Sequence, residues 1–216
     1  MTARERPILY TGEMVRAVIA NQKTKTRRVM KPQPPAPGAQ WSESDKGFRL
    51  DGSRLLLLRA CPYGVPGDRL WVRETWQALD IGDYTPTKRP TSEVRYKATD
   101  KLADSDKDVR GYPWRPSIFM PHWASRITLE LTSVRVERVQ DISEEDAIAE
   151  GVGSGFQCNG GWPDYQHIRN GVCDLTQDTA KMSYASLWDS INGKRPGCEW
   201  ADNPWVWVLA FRMVQP

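Results

Sequence analysis

Apolar and polar residues follow one another along this chain in short separate blocks, and each block predicts an element. Residues 7–10 read as a first strand. Thr11 is placed to cap a helix from Gly12 to about Asn21, because Met14, Val15, Val18 and Ile19 recur at helical spacing while Arg16 and Gln22 fall off that stripe. Residues 55–59 read as a strand. Residues 61–68 carry turn chemistry and lead into a strand at 69–75, with Leu70 and Val72 on one face and Arg69, Trp71 and Arg73 on the other. A short strand is expected at 94–98. Residues 127–131 alternate strictly and 134–139 alternate again, which makes one long or bent strand, or two strands. Ser143 and Asp146 have capping-box spacing and open a short helix that Gly151 closes. Met182, Ala185, Trp188 and Ile191 mark another helix ahead of an Asn192-Gly193 stop. Residues 205–214 are apolar on both faces as far as Arg212, the pattern of a central strand.

Summed, the blocks predict one α+β domain over residues 1–216: a mostly antiparallel, barrel-like sheet with few helices. Polar, Pro- and Gly-rich stretches at about 31–53, 80–115 and 152–180 read as long loops. Gly151 to Gly155 is Gly-rich, but it follows a helix and resembles a hinge more than a phosphate cradle.

Composition narrows the class. Hydrophobic residues make up 39% and charged residues 26%, which excludes a disordered chain or a fibre. No apolar run approaches the roughly 18 to 20 residues of a membrane helix. The first ten residues hold no apolar signal region, so a soluble, cytoplasmic protein that does not engage membranes is expected. Cys61, Cys158, Cys173 and Cys198 include no close pair. A disulfide scaffold is therefore not expected, and a four-Cys zinc site would need loops to gather ligands that such sites draw from close pairs. His122 and His167 are the only His residues, which excludes a His-rich metal site. No metal or cofactor is expected, and no phosphate-loop, dinucleotide, zinc-protease or nucleophile-elbow motif is present.

Charge is distributed unevenly. Residues 1–31 hold eight Lys or Arg against Glu5 and Glu13, whereas residues 141–150 hold five acids and no base. Two solvated faces would account for this, and so would a cationic site for phosphate with an acid beside it. The basic run Lys23, Thr24, Lys25, Thr26, Arg27, Arg28 follows directly on the first helix. In an extended chain Thr24, Thr26 and Arg28 share one face. Ten Trp residues, more than Phe or Tyr, suit a core or a surface that stacks on flat ligands.

This basic run after a helix resembles the signature of ASCH-type domains of the PUA-like superfamily. Three further pieces follow in the family's order. Residues 66–72 are similar to its Gly-Asp-hydrophobic opening of a strand, residues 141–151 to its short helix ending in an acid, and residues 205–214 to its closing strand. Residues 10–14 and 114–121 further resemble a longer branch common in phages and prophages. The matching blocks cover about half the chain, and the stretches at 31–53, 80–115 and 152–180 are insertions relative to small members.

The resemblance implies a PUA-like barrel that binds nucleic acid, nucleotides or modified nucleosides. It also implies amide hydrolysis on acetylcytidine as an activity, with Lys23, Thr26 and Glu150 acting together as catalytic residues. Thr26 would be the nucleophile only if a base took its proton. Lys23 serves as that base when neutral; when charged it stabilises the oxyanion and Glu150 handles protons. Arg28 would hold a phosphate or an acyl oxygen, beside Lys25 and Arg27. Trp71, Arg73 and His122 are candidates for the ligand's walls, and either Arg73 or Glu74 is placed to pair with Lys23 or Arg28. The alternative functions are a non-catalytic RNA, DNA or modified-base binding module, and a phage-encoded binder acting against host defence.

Overall fold

The computed structural model describes residues 3–33, 40–42, 47–50, 53–57, 61–83, 85–153, 158, 160–169 and 172–214. In chain order the elements are β1 (Glu5–Leu9), α1 (Gly12–Ile19), β2 (Lys25–Val29), β3 (Gln40–Ser42), β4 (Gly47–Leu50), β5 (Ser53–Leu57), β6 (Arg69–Arg73), β7 (Trp76–Leu79), β8 (Pro86–Thr87), β9 (Glu93–Tyr96), α2 (Lys107–Arg110), β10 (Thr128–Arg138), α3 (Glu144–Ala149), β11 (Trp162–Pro163), β12 (Ile168–Arg169), β13 (Val172–Cys173), β14 (Thr176–Gln177), α4 (Ala180–Asn192) and β15 (Trp205–Val214). This is a mixed α+β architecture with sheets that are mostly antiparallel.

The central sheet runs β1-β6-β10-β15-β2, with β1 parallel to β6 and the other pairs antiparallel. The alternation at 128–138 belongs to one strand, whose pairing with β15 slips between Leu131 and Ser133. A bulge of this kind bends a long strand without breaking its ladder. The described strands leave β1 and β2 as edges, so the sheet is open where a closed barrel was expected. Side chains fill the gap instead of a ladder. Arg28 on β2 donates from Nη2 to Leu9 O on β1 at 2.8 Å, and α1, which joins the two edge strands, packs Val15 and Val18 into one cluster with Ile8 and Met30.

Each face of β15 meets a different core, as its two-sided apolar pattern requires. Trp207, Leu209 and Phe211 join Leu70, Val72, Leu129 and α1 on one side. Val206 and Val208 join Ala147 of α3 and Tyr184 and Trp188 of α4 on the other. Fully burying each such side chain contributes about 1.5–3 kcal/mol, so the two helices are held on the sheet by packing.

Local chemistry fixes the helix ends. Thr11 accepts from Met14 N at the start of α1. Asn21 takes a left-handed φ of 54°, and the Gln22 and Lys23 amides both return to Ala17 O. That turn stops the helix before Asn21 and swings the basic run into β2. Ile19, expected in the core, is exposed, and Ala17 is buried instead. In α4 the buried face is Ala180, Ser183, Tyr184 and Trp188, while Met182 and Ile191 are exposed. The i, i+3 stripe therefore misplaced that face by part of a turn.

The expected loop at 31–53 contains β3 and β4, which pair with β5 in a three-stranded sheet. The 152–178 stretch contains two short ribbons, β11–β14 and β12–β13. Cys158 and Cys173 form a disulfide there, against the expectation from Cys spacing. Leu58 and Arg59 of the expected strand, and Ser154 and Gly155 of the Gly-rich stretch, lie outside the described residues. No helix among the described residues is long and apolar enough to cross a membrane.

Candidate functional site

Lys23 and Glu150 are 127 residues apart in sequence and meet through a backbone crossover. Thr24 N donates to Ala149 O at 2.8 Å, and Phe211 N donates to Thr24 O at 2.9 Å. These bonds pin the start of β2 between α3 and β15. Gly151 follows with φ of +86°, and a Cβ there would sit 3.1 Å from Ala17 Cβ and 3.2 Å from Lys23 Cβ. Only glycine gives the chain both that conformation and that approach.

The result is a buried ion pair. Lys23 Nζ donates to Glu150 Oε2 at 2.8 Å and to Glu150 O at 2.7 Å. The two side chains are 1% and 4% exposed. The other Glu150 oxygen accepts from Arg27 Nη1 at 3.2 Å. Burial lowers the Lys23 pKa, helped by the Arg28 and Arg27 charges and opposed by Glu150. The sign left open by the sequence is thus downward.

Alternation along β2 separates the basic run into two sets. Thr26 and Arg28 stand opposite Leu209 and Trp207, whereas Lys25 and Arg27 stand opposite Ala210 and Val208. The second set is neutralised. Lys25 pairs with Asp146, Arg27 pairs with Asp146, Glu137 and Glu150, and Arg135 pairs with Asp146 and Glu137. Burial works against charge on Asp146, but hydrogen bonds from Lys25, Arg27 and Arg135 win and hold its carboxyl well below the usual range. The capping box is half made for the same reason. Ser143 accepts from Asp146 N at 3.1 Å, while the Asp146 side chain turns to the cations. Sequence reasoning missed Glu137, Arg135 and Asp146 as partners. The acidic block at 141–150 facing the basic run was the signal available.

A cavity of about 440 Å³ wraps the edge of β2 and is lined from the first set by Thr26 and Arg28 and from the second side by Arg27 and Val29. Thr26, Arg28 and Glu150 line it with Lys31, Tyr63, Tyr184, Trp188, Arg195 and Trp207. Lys23 stands behind Glu150 and is not part of the wall. Thr26 is buried and neighbours the Tyr10 ring system. Among the described residues its hydroxyl makes no hydrogen bond to Lys23 or Glu150. Burial drives the Tyr10 and Tyr184 hydroxyls upward, so both stay neutral.

Trp71, Arg73 and His122 come together elsewhere. The Trp71 and His122 rings meet edge-on at 5.1 Å, and Arg73 lies over Trp71 at 5.4 Å. His122 contacts Glu5, and Arg73 donates to Ile118 O. On β6, Trp71 and Arg73 alternate with the core residues Leu70 and Val72, and they, with the His122 ring beside Trp71, do not line the cavity. They are not its walls. Glu74 pairs with Arg126 through both oxygens, at 2.9 and 3.0 Å, and not with Lys23 or Arg28. Cys61 and Cys198 are free and buried. No group of three or more His, Cys, Asp or Glu among the described residues could hold a metal ion.

The arrangement can hold an anion through unneutralised guanidinium and ammonium groups, and a flat ring against aromatic walls. Compared with known proteins, the chain matches no family model, no curated protein and no solved structure.

Proposed function

We propose that this chain is an ASCH-type domain of the PUA-like superfamily that recognises a nucleoside or nucleotide in the cavity beside β2. The observation that carries the reading is the cavity wall. It joins Tyr63, Tyr184, Trp188 and Trp207 to Arg28, Lys31 and Arg195. Rings offer stacking surfaces to a base, and cations without acidic partners suit the charge of a nucleotide. The volume of about 440 Å³ falls in the range of roughly 300–1,000 Å³ common for small-molecule sites. In this reading the Lys23–Glu150–Arg27 cluster fixes the cavity floor, because Glu150 can face the ligand only while its two cations hold it.

Amide hydrolysis on an acylated cytidine is a second reading. The lowered Lys23 pKa favours it, as does the presence of Thr26 and Glu150 on one wall. Turnover would need Thr26 to move into hydrogen-bond reach of a base, since among the described residues its hydroxyl bonds to neither Lys23 nor Glu150. A thermal-shift panel of cytidine, acetylcytidine and their nucleotides tests recognition, and product analysis on acetylcytidine tests hydrolysis. Stabilisation by at least one panel member is expected. A flat response across the panel, with steeply salt-dependent binding to long oligonucleotides instead, would replace the cavity reading with a backbone-binding one. Full acetylcytidine turnover by Lys23→Ala would end the hydrolytic mechanism.

A further inference from the structure

The cations lining the cavity differ in one respect. Arg27 is saturated by three carboxylates, whereas among the described residues Arg28, Lys31 and Arg195 form no ion pair. Arg28 makes one hydrogen bond, from Nη2 to Leu9 O at 2.8 Å, and its Nε is buried with no partner. A buried guanidinium N–H without an acceptor is costly, by more than a neutral donor would be. The one acid in the wall, Glu150, is already held by Lys23 and Arg27. Three positive charges therefore line a single cavity without a carboxylate partner of their own among the described residues.

We infer that the cavity carries a phosphate-monoester subsite formed by Arg28, Lys31 and Arg195, so that its ligand is a phosphorylated nucleoside and not the uncharged nucleoside. The inference rests on the nucleoside reading of the same cavity and adds the ligand's charge. A phosphate monoester fits better than a carboxylate because its greater charge and three terminal oxygens can engage more of the three cations. Arg28, tethered at one nitrogen, presents a fixed edge. Lys31 and Arg195 are exposed and close on the anion from the rim. The monoester could belong to a free nucleotide or to the 5′ end of a strand.

Isothermal titration with cytidine, cytidine 5′-monophosphate and ribose 5-phosphate tests this. The monophosphate should bind about 10- to 100-fold more tightly than cytidine, the gain expected of hydrogen bonds to a charged group. Lys31→Ala/Arg195→Ala should erase that advantage. Ribose 5-phosphate should compete with the monophosphate. Equal affinity for cytidine and its monophosphate would overturn the subsite and leave the nucleoside reading standing. Equal affinity for ribose 5-phosphate and the monophosphate would keep the subsite and overturn the role of the base. Binding of none of the three would overturn both. A 5′-phosphorylated dinucleotide bound more tightly than the monophosphate would assign the subsite to a strand end, and the reverse order to a free nucleotide.

Discussion

Lys25 and Arg27 on one face of β2, and Thr26 and Arg28 on the other, belong to one continuous basic run, yet they live in opposite electrostatic worlds. The first face is closed by Glu137, Asp146 and Glu150, so each of its cations has a carboxylate. The second opens on the cavity, where Arg28 has a backbone carbonyl and the Tyr10 ring face but no carboxylate. A basic motif therefore divides by strand parity into a half whose cations are neutralised by carboxylates and a half that is not, although Arg27 reaches the cavity wall as well. Substitutions on the two halves should separate cleanly, stability on one side and binding on the other.

The largest effect should come from Glu150→Gln, which strips the charge that answers both Lys23 and Arg27. Removing one partner of a buried pair costs about 3–5 kcal/mol, read as a lower urea midpoint. A loss under about 1 kcal/mol, the value of an exposed pair, would mean that solvent reaches this cluster. Gly151→Ala comes next. Its φ of +86° and the 3.2 Å approach to Lys23 Cβ imply a cost of about 1–3 kcal/mol, visible in the melting temperature. An unchanged melt would show that α3 can shift away from α1.

Asp146→Asn should cost about 1–3 kcal/mol at neutral pH, the range for hydrogen bonds to charged groups, and the loss should depend on pH in a set direction. The folded Asp146 carboxyl titrates below its ordinary 3.8. The stability it contributes is therefore complete above 3.8 and is lost as pH falls toward the lowered value. Denaturation curves of the two proteins should converge in acid. A gap that stays constant down to strongly acidic pH would show that the carboxylate is not held by its cations. The smallest change in stability belongs to Lys31→Ala/Arg195→Ala and to Trp71→Ala. The first should stay within about 0.5 kcal/mol per exposed site. The second, half-buried against His122 and Arg73, should cost about 0.5–1.5 kcal/mol. Only the first should weaken nucleotide binding. Weakened binding in Trp71→Ala would move the ligand to the outer face of β6.

How far the sequence could be read follows from which signals are local. The Thr11 cap, the alternation of β6 and β10, the Ser143 cap and the two-faced β15 each declare themselves within a few residues. The pairing of Lys23 with Glu150 spans the chain, and family resemblance rather than spacing suggested it. Trp71, Arg73 and His122 lie away from the cavity; parity along β6 separates two faces without saying which one meets it. Lys31 and Arg195 were not singled out, because nothing in their neighbourhoods tells that β2 and the end of α4 share a wall. Strands β3 and β4 and the Cys158–Cys173 bridge depend on contacts between segments whose local composition signals only turns.

The central claim is that the unpaired half of the basic run faces the ligand. A crystal structure of the protein with cytidine 5′-monophosphate tests it most directly. The account predicts the phosphate within hydrogen-bond reach of Arg28, Lys31 and Arg195, with the base against the aromatic wall. Phosphate seated instead against Lys25, or nucleotide on the Trp71 face with the cavity vacant, would contradict it.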